Sequence, residues 1–126
     1  MNINPIEDLN KLSLSESAHQ KLQTLKEKKQ FLEMKDAYRL GIALALSRNI
    51  VPDEIKPPKN SIYSVSQIDP DKSIALAITL LMDTGNIPPY RWLERLAEWG
   101  IDELYKLCEN GDGELDIVGL LNEANE

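Results

Sequence analysis

The sequence predicts a mostly α fold, a single-domain bundle of five or six helices with at most one short β-strand or strand pair. Three observations favour it. Apolar residues recur at helical spacing along most of the chain, prolines and glycines separate these segments, and only residues 11–15 alternate like a half-buried strand. With 126 residues, 42% hydrophobic and 28% charged, the chain suits one folded domain over residues 1–126.

The N-terminal third predicts a strand followed by two helices. After a polar lead over residues 1–10, which we expect to be flexible, the strand runs directly into a helix at about 16–30. Ser13 with Glu16 three residues later fits a helix capping box at this junction. The next helix, about 34–48, is apolar over more than half its circumference, so we expect it to be the buried central helix. It is too short to cross a bilayer.

Residues 50–68 form a Pro-rich internal linker in this prediction. Their prolines exclude a regular helix, and only residues 62–65 suit a short extended piece. A third helix is predicted to begin with Asp69 as its cap and Pro70 in its first turn, and its body from Ile74 to Met82 is nearly all apolar.

Three more helices are predicted in the C-terminal part. Pro88 and Pro89 open one that Gly100 ends, and Asp102 begins the next, which runs to Gly111. A short sixth helix covers residues 115–124.

The charge distribution restricts the partners. The net charge of −7 divides into +2 for residues 1–48 and −9 for residues 49–126. Binding to nucleic-acid phosphates requires a dense cationic face, so any DNA contact would come from the N-terminal third. The acidic remainder suits a basic protein partner or a mimic of nucleic acid. One cysteine, Cys108, excludes an internal disulfide, and the N-terminus lacks a signal-peptide layout, so the cytoplasm is the expected compartment.

No reaction chemistry stands out in the sequence. His19 is the only histidine, Cys108 falls on the apolar stripe of a helix, and no glycine-rich phosphate loop occurs. The segment CENGDGELDIVG resembles a calcium loop, but its first position is Cys108 and its twelfth is Gly119, so both anchoring carboxylates are missing. We therefore predict a polar turn there, no catalytic residue, no metal and no cofactor.

Two sets of residues suit binding instead. The strand and two helices of residues 11–48 resemble the ribbon-helix-helix class, in which paired strands of a dimer enter the major groove. The resemblance implies base contacts from Lys11, Ser13 and Ser15, and phosphate contacts from Lys21 and Lys26.

A second set combines aromatic residues and arginines, which are enriched in interface hot spots, on the helix that follows Pro89. Its members are candidate protein-interaction residues: Arg91, Trp92, Arg95 and Trp99. Whether the tryptophans belong to the core or to a partner surface stays open at this point.

A broader similarity covers roughly residues 31–108. The segments FLEMKDAYRLGIALALSRN, DPDKSIALAITLLM and YRWLERLAEWGIDELYKLCENG resemble, in their order, the small accessory proteins of bacterial DNA phosphorothioation (Dnd) systems. Phe31, Lys35 and Asp36 match an aromatic-x-x-x-Lys-Asp opening, and Trp99-Gly100-Ile101 matches a later step. The Pro-rich linker and the double proline before Tyr90 depart from the pattern. The N-terminal segment also resembles DndE, a DNA-associated component of these systems.

The resemblance implies a non-catalytic accessory or regulatory module of a bacterial DNA-modification or anti-phage defence assembly. Its expected partner is a larger protein of that assembly, with no membrane involved. The alternatives are a dimeric ribbon-helix-helix-like DNA-binding regulator and, third, an acidic nucleic-acid-mimicking inhibitor. The sequence is also compatible with a homodimer.

Overall fold

The computed structural model describes residues 6–28 and 33–110, with Asn110 as backbone only. This part of the chain forms two strands and five helices, in the order β1 (Lys11–Ser15), α1 (Glu16–Glu27), α2 (Met34–Ser47), β2 (Lys59–Ser64), α3 (Val65–Ile68), α4 (Ser73–Leu81) and α5 (Pro89–Asn110). The prediction of a mostly α fold with one strand pair is confirmed for these residues. The predicted sixth helix and residues 111–119 of the calcium-like segment lie outside them.

The two strands pair with each other in an antiparallel sheet, β1 with β2. The short extended piece predicted at residues 62–65 lies mostly in β2, but β2 and the short helix α3 together cover residues 59–68, so only residues 50–58 of the predicted linker are without regular structure. The prolines of this segment all precede β2, so none interrupts the strand. The register shifts between Leu12 and Ser13, which marks an irregularity in the ladder.

Helix α1 continues directly from β1, as predicted, but with a different cap. Ser15, not Ser13, is the N-cap residue, and its Oγ accepts a hydrogen bond of 3.1 Å from the Ala18 backbone N–H. Ser13 lies within the strand and cannot cap the helix. Helix α1 buries Ala18, Leu22 and Leu25.

The C-terminal half contains one long helix where the sequence predicts two. Helix α5 runs through Gly100 for 22 residues, so the predicted helix end at that glycine is wrong. A Cβ atom built on Gly100 would lie 2.0 Å from the carbonyl oxygen of Gly41 on α2. Glycine is present because the two helix backbones touch here, and the contact offsets its helix-propensity cost of about 1 kcal/mol.

Helix α5 is the centre of the fold, because α1, α2, α4 and β1 all pack against it. Its buried residues join those of the other elements in one core: Leu12, Leu14, Ala18, Leu22, Leu25, Ala37, Tyr38, Ile42, Leu44, Ala45, Ile68, Ile78, Trp92, Leu93, Leu96, Ala97, Ile101, Leu104 and Cys108. The expected burial of Cys108 and of the second predicted helix, α2, is confirmed.

The described part of the predicted flexible lead contacts α5 and α3. The backbone oxygen of Glu7 accepts a hydrogen bond from Arg91 Nε, and the Asn10 oxygen accepts one from the Val65 N–H. Residues 7–10 are thereby attached to the core elements.

Candidate interaction surface

The predicted interaction residues lie on α5, but they are not one exposed surface. Trp92 is a core residue, 7% exposed, and its Nε1 donates a hydrogen bond of 3.0 Å to the Thr84 backbone oxygen. The Arg95 guanidinium lies 5.0 Å from the Trp92 ring centroid, a cation–π contact within the chain. Trp99 is half-buried and packs against the core. The contacts of these side chains within the chain hold α5 against the core.

The residues that the ribbon-helix-helix resemblance assigns to DNA contacts divide into two groups. Lys11 and Lys26 are exposed. Ser13 is buried and Ser15 binds Glu98, while Lys21 forms an ion pair with Asp102 on α5. The side chains of Ser13, Ser15 and Lys21 are therefore directed at groups of their own chain.

Both edges of β1 are occupied within the described part of the chain. β2 pairs with one edge, and carboxylates of α5 bind N–H groups on the other. Glu94 Oε2 accepts from the Ser13 N–H at 2.8 Å, and Glu98 Oε1 accepts from the Ser15 N–H at 3.0 Å. A ribbon-helix-helix dimer requires a β1 edge open to a second copy, and this arrangement leaves none.

Both carboxylate oxygens of Glu94 accept hydrogen bonds, and the residue is almost completely buried. It is 4% exposed, and its second oxygen accepts a hydrogen bond of 2.8 Å from Lys59 Nζ. A buried carboxylate is tolerated where it is paired and hydrogen-bonded, as here. The α5 carboxylates at positions 94, 98, 102 and 103 all bind donors of the chain, so they do not form an array of free charges like a phosphate backbone.

Helix α4 is attached to the core through Asp69. The buried carboxylate of Asp69 accepts hydrogen bonds from the N–H groups of Ile74 and Ala75, at 2.9 and 3.0 Å, and from the Tyr90 hydroxyl at 2.9 Å. Asp69 therefore supplies capping hydrogen bonds to this helix, as predicted, although the residue at the N-cap position is Lys72. The predicted place of Pro70 is wrong, because it lies in a turn and the helix begins at Ser73.

The acids at this helix end have defined partners. Burial and the hydrogen bond to Asp69 raise the pKa of Tyr90 to about 12, so its hydroxyl stays a donor at neutral pH. Hydrogen bonds from Ser73 lower the pKa of Asp71. The N-terminus of α4 already has its own carboxylates, which suit the positive end of the helix dipole.

Helix α4 exposes its three leucines. Of the nine residues SIALAITLL only Ile78 is fully buried, whereas Leu76, Leu80 and Leu81 are 59%, 74% and 63% exposed. Val51, which is 71% exposed, lines a depression of about 170 Å³ together with Leu81. We call these four side chains the α4 surface.

A separate groove lies between α2 and α4. The two helices pack on α5 and have few contacts with each other. The depression between them has a volume of about 270 Å³ and is lined by Arg39, Ile42, Ala43, Leu46, Ser73, Ile74 and Ala77. Single exposed leucines are normal on protein surfaces, whereas a cluster of exposed apolar side chains is typical of an interaction site.

Sequence reasoning did not identify the α4 surface, although the sequence contains a signal for it. From Ser73 to Met82 no residue is charged. A short helix that is apolar on all sides either lies inside a large core or has a face left for a partner. A chain of 126 residues offers little core beyond the central helix, which favours the second case.

Two other kinds of functional site, a metal site and a membrane-crossing helix, are not found among the residues that the structure describes. In the described ranges no group of three or more His, Cys, Asp or Glu residues is placed to hold a metal ion. Within residues 6–28 and 33–110, no helix has the length and apolar character that crossing a bilayer requires.

Comparisons of the chain with protein-family models, with curated protein sequences and with solved structures find no match. The resemblance to Dnd accessory proteins therefore stays a prediction. Phe31, one of the residues that support it, lies outside the described residues.

Proposed function

We propose that the chain is a protein-interaction module and that the α4 surface is its partner-binding face. The observation that carries the proposal is the exposure of Leu76, Leu80 and Leu81 on a helix without charged residues. Burying one fully exposed leucine contributes about 1.5–3 kcal/mol, and these three side chains are already partly covered, so they supply part of the binding free energy and the partner makes further contacts around them. Interface centres have this composition, apolar and depleted in charge.

In this proposal the chain has no reaction of its own. Its most buried carboxylates, Asp69 and Glu94, hold backbone N–H groups, and this supports a structural role for them. The chain works in the cytoplasm as an accessory or regulatory component of a bacterial DNA-modification or anti-phage defence assembly. The resemblance of residues 31–108 to Dnd accessory proteins supports this choice of assembly.

Photo-crosslinking in the native host tests the proposal. A photoreactive phenylalanine analogue replaces Leu80 in one variant and Lys106 in another, since Lys106 is exposed on α5 away from the α4 surface. We expect a discrete protein adduct from position 80 and none from position 106. Mass spectrometry of the adduct then identifies the partner.

Two further variants make the test specific for the α4 surface. Adding Leu76→Glu to the position-80 variant should abolish the adduct, whereas Gln23→Glu adds the same charge to an exposed residue of α1 and should leave it unchanged. No adduct from position 80, or equal adducts from positions 80 and 106, would overturn the proposal.

A further inference from the structure

The residues of α4 that face outward are complementary to themselves in an antiparallel arrangement. Ser73, Leu76 and Leu80 follow one another at helical spacing along the exposed side. When a second copy of α4 lies antiparallel to the first, Leu76 of each copy meets Leu80 of the other. This is the isologous contact of a two-fold dimer, in which the same patch serves both copies.

The charges at the two ends of α4 favour the same arrangement. Lys72 precedes the helix and Asp83 follows it, and both are exposed. In the antiparallel pair, Lys72 of one copy lies beside Asp83 of the other, twice per dimer, and the helix dipoles are opposed as well. Two other acids lie near Lys72: Asp71 accepts a hydrogen bond from the Ser73 N–H, and the buried Asp69 accepts from the Ile74 and Ala75 N–H groups. No charge lies between the two ends to oppose the contact.

We infer that the occupant of the α4 surface is a second copy of this chain, bound through antiparallel α4 helices. The inference rests on the proposed function, because it requires the α4 surface to be a protein-binding face. A nine-residue helix is about 13.5 Å long, so the contact is at the small end of specific interfaces and we expect a weak, concentration-dependent dimer.

Analytical ultracentrifugation of the full chain over a wide concentration range tests the inference. We expect the weight-average mass to rise from that of the 14.3 kDa monomer towards twice that value. Leu80→Glu should abolish the rise, and Gln23→Glu, which adds the same charge to an exposed residue of α1, should not change it. Circular dichroism and urea unfolding of each variant establish that it is folded.

A charge exchange tests the antiparallel geometry. Lys72→Asp and Asp83→Lys should each weaken dimerisation about tenfold, and the double variant should restore it to within about threefold. Because Asp83 Oδ1 also accepts from the Gly85 N–H, Asp83→Asn keeps that acceptor, removes the charge, and should weaken the dimer as well.

Three results would overturn the inference. They are a monomer at every concentration, a dimer that Leu80→Glu does not affect, and a double charge variant no better than the single variants. If the chain is a monomer and the position-80 adduct contains a different protein, the inference that a second copy binds the α4 surface is refuted, but the proposed function is not. A monomer without any adduct would overturn both.

Discussion

The contact between Gly41 and Gly100 makes a sharp prediction about stability. Replacing Gly100 by alanine adds one methyl group where α5 touches the backbone of α2. The new Cβ would lie 2.0 Å from the Gly41 carbonyl oxygen and 2.3 Å from its carbon, against 3.4 Å or more for an ordinary contact. Both atoms belong to backbone, so no side-chain rotation relieves the overlap.

The size of the effect follows from two opposing terms. Relieving the overlap moves the helices apart by about 1.4 Å, the difference between 3.4 and 2.0 Å, and a gap of that size removes much of the dispersion attraction along the α2–α5 contact. Overpacking typically costs 1–3 kcal/mol, and more where backbone must move, while alanine gains about 1 kcal/mol in helix propensity. We expect Gly100→Ala to lower the free energy of unfolding by about 2–4 kcal/mol.

Gly41→Ala is the matched control on the facing helix. Its Cβ would meet the Ile101 nitrogen at 3.1 Å, so a shift of a few tenths of an ångström suffices. Helix propensity offsets this smaller strain, and we expect stability within about 1 kcal/mol of the original chain. Urea unfolding with an unchanged m-value measures both variants. If Gly100→Ala instead raised the stability by about 1 kcal/mol, the helices would not touch at Gly100 and the packing described here would be wrong.

Three other variants test the buried carboxylates and an ion pair. Glu94→Ala deprives the Ser13 N–H and Lys59 of their acceptor, and urea unfolding should show a loss of about 2–4 kcal/mol; a loss under about 0.5 kcal/mol would contradict its place at the strand edge. Asp69→Ala should speed amide hydrogen exchange in α4 at least about tenfold while exchange in the middle of α5 stays slow, and equal acceleration in both helices would refute a local role. Burial opposes ionisation of Asp102, but hydrogen bonds from two lysines outweigh it and lower its pKa. The ionised form therefore favours the folded state above the unfolded pKa of about 3.9, and this contribution is lost as the pH falls through the lower folded value. Asp102→Asn should reduce stability by less than about 1 kcal/mol at neutral pH, since the side chain is 37% exposed, and a difference that persists in strong acid would contradict this assignment.

Features set by local spacing could be predicted from the sequence. The alternation of residues 11–15 predicts β1, and the apolar periodicity of residues 34–48 predicts the burial of α2, although the central helix is α5. Asp69 was identified as a helix cap, because a carboxylate before an apolar run is a local signal.

Features that depend on distant residues could not be predicted. The partner of β1 lies more than forty residues along the chain, in a segment that the prolines marked as irregular. Gly100 looked like a helix end because glycine weakens helices, and only its contact with Gly41 explains why α5 continues. Capping of the second β1 edge by Glu94 and Glu98 is likewise tertiary.

The candidate site was missed for the same kind of reason. Sequence reasoning singled out Trp92 and Arg95 because aromatic residues and arginines mark interfaces, and the structure uses Trp92 in the core. The composition of α4 was visible, but how much of it the core covers is a property of the packing.

The most direct measurement of the role of α4 is a methyl NMR titration of the chain with labelled leucines. Spectra are recorded as the concentration of the chain increases and again as the crosslinked partner, if different, is added. We predict that the methyl resonances of Leu76, Leu80 and Leu81 shift while those of the buried Leu12 and Leu93 stay in place. Shifts confined to residues away from α4, or no shift under either condition, would contradict the proposal that this helix binds the partner.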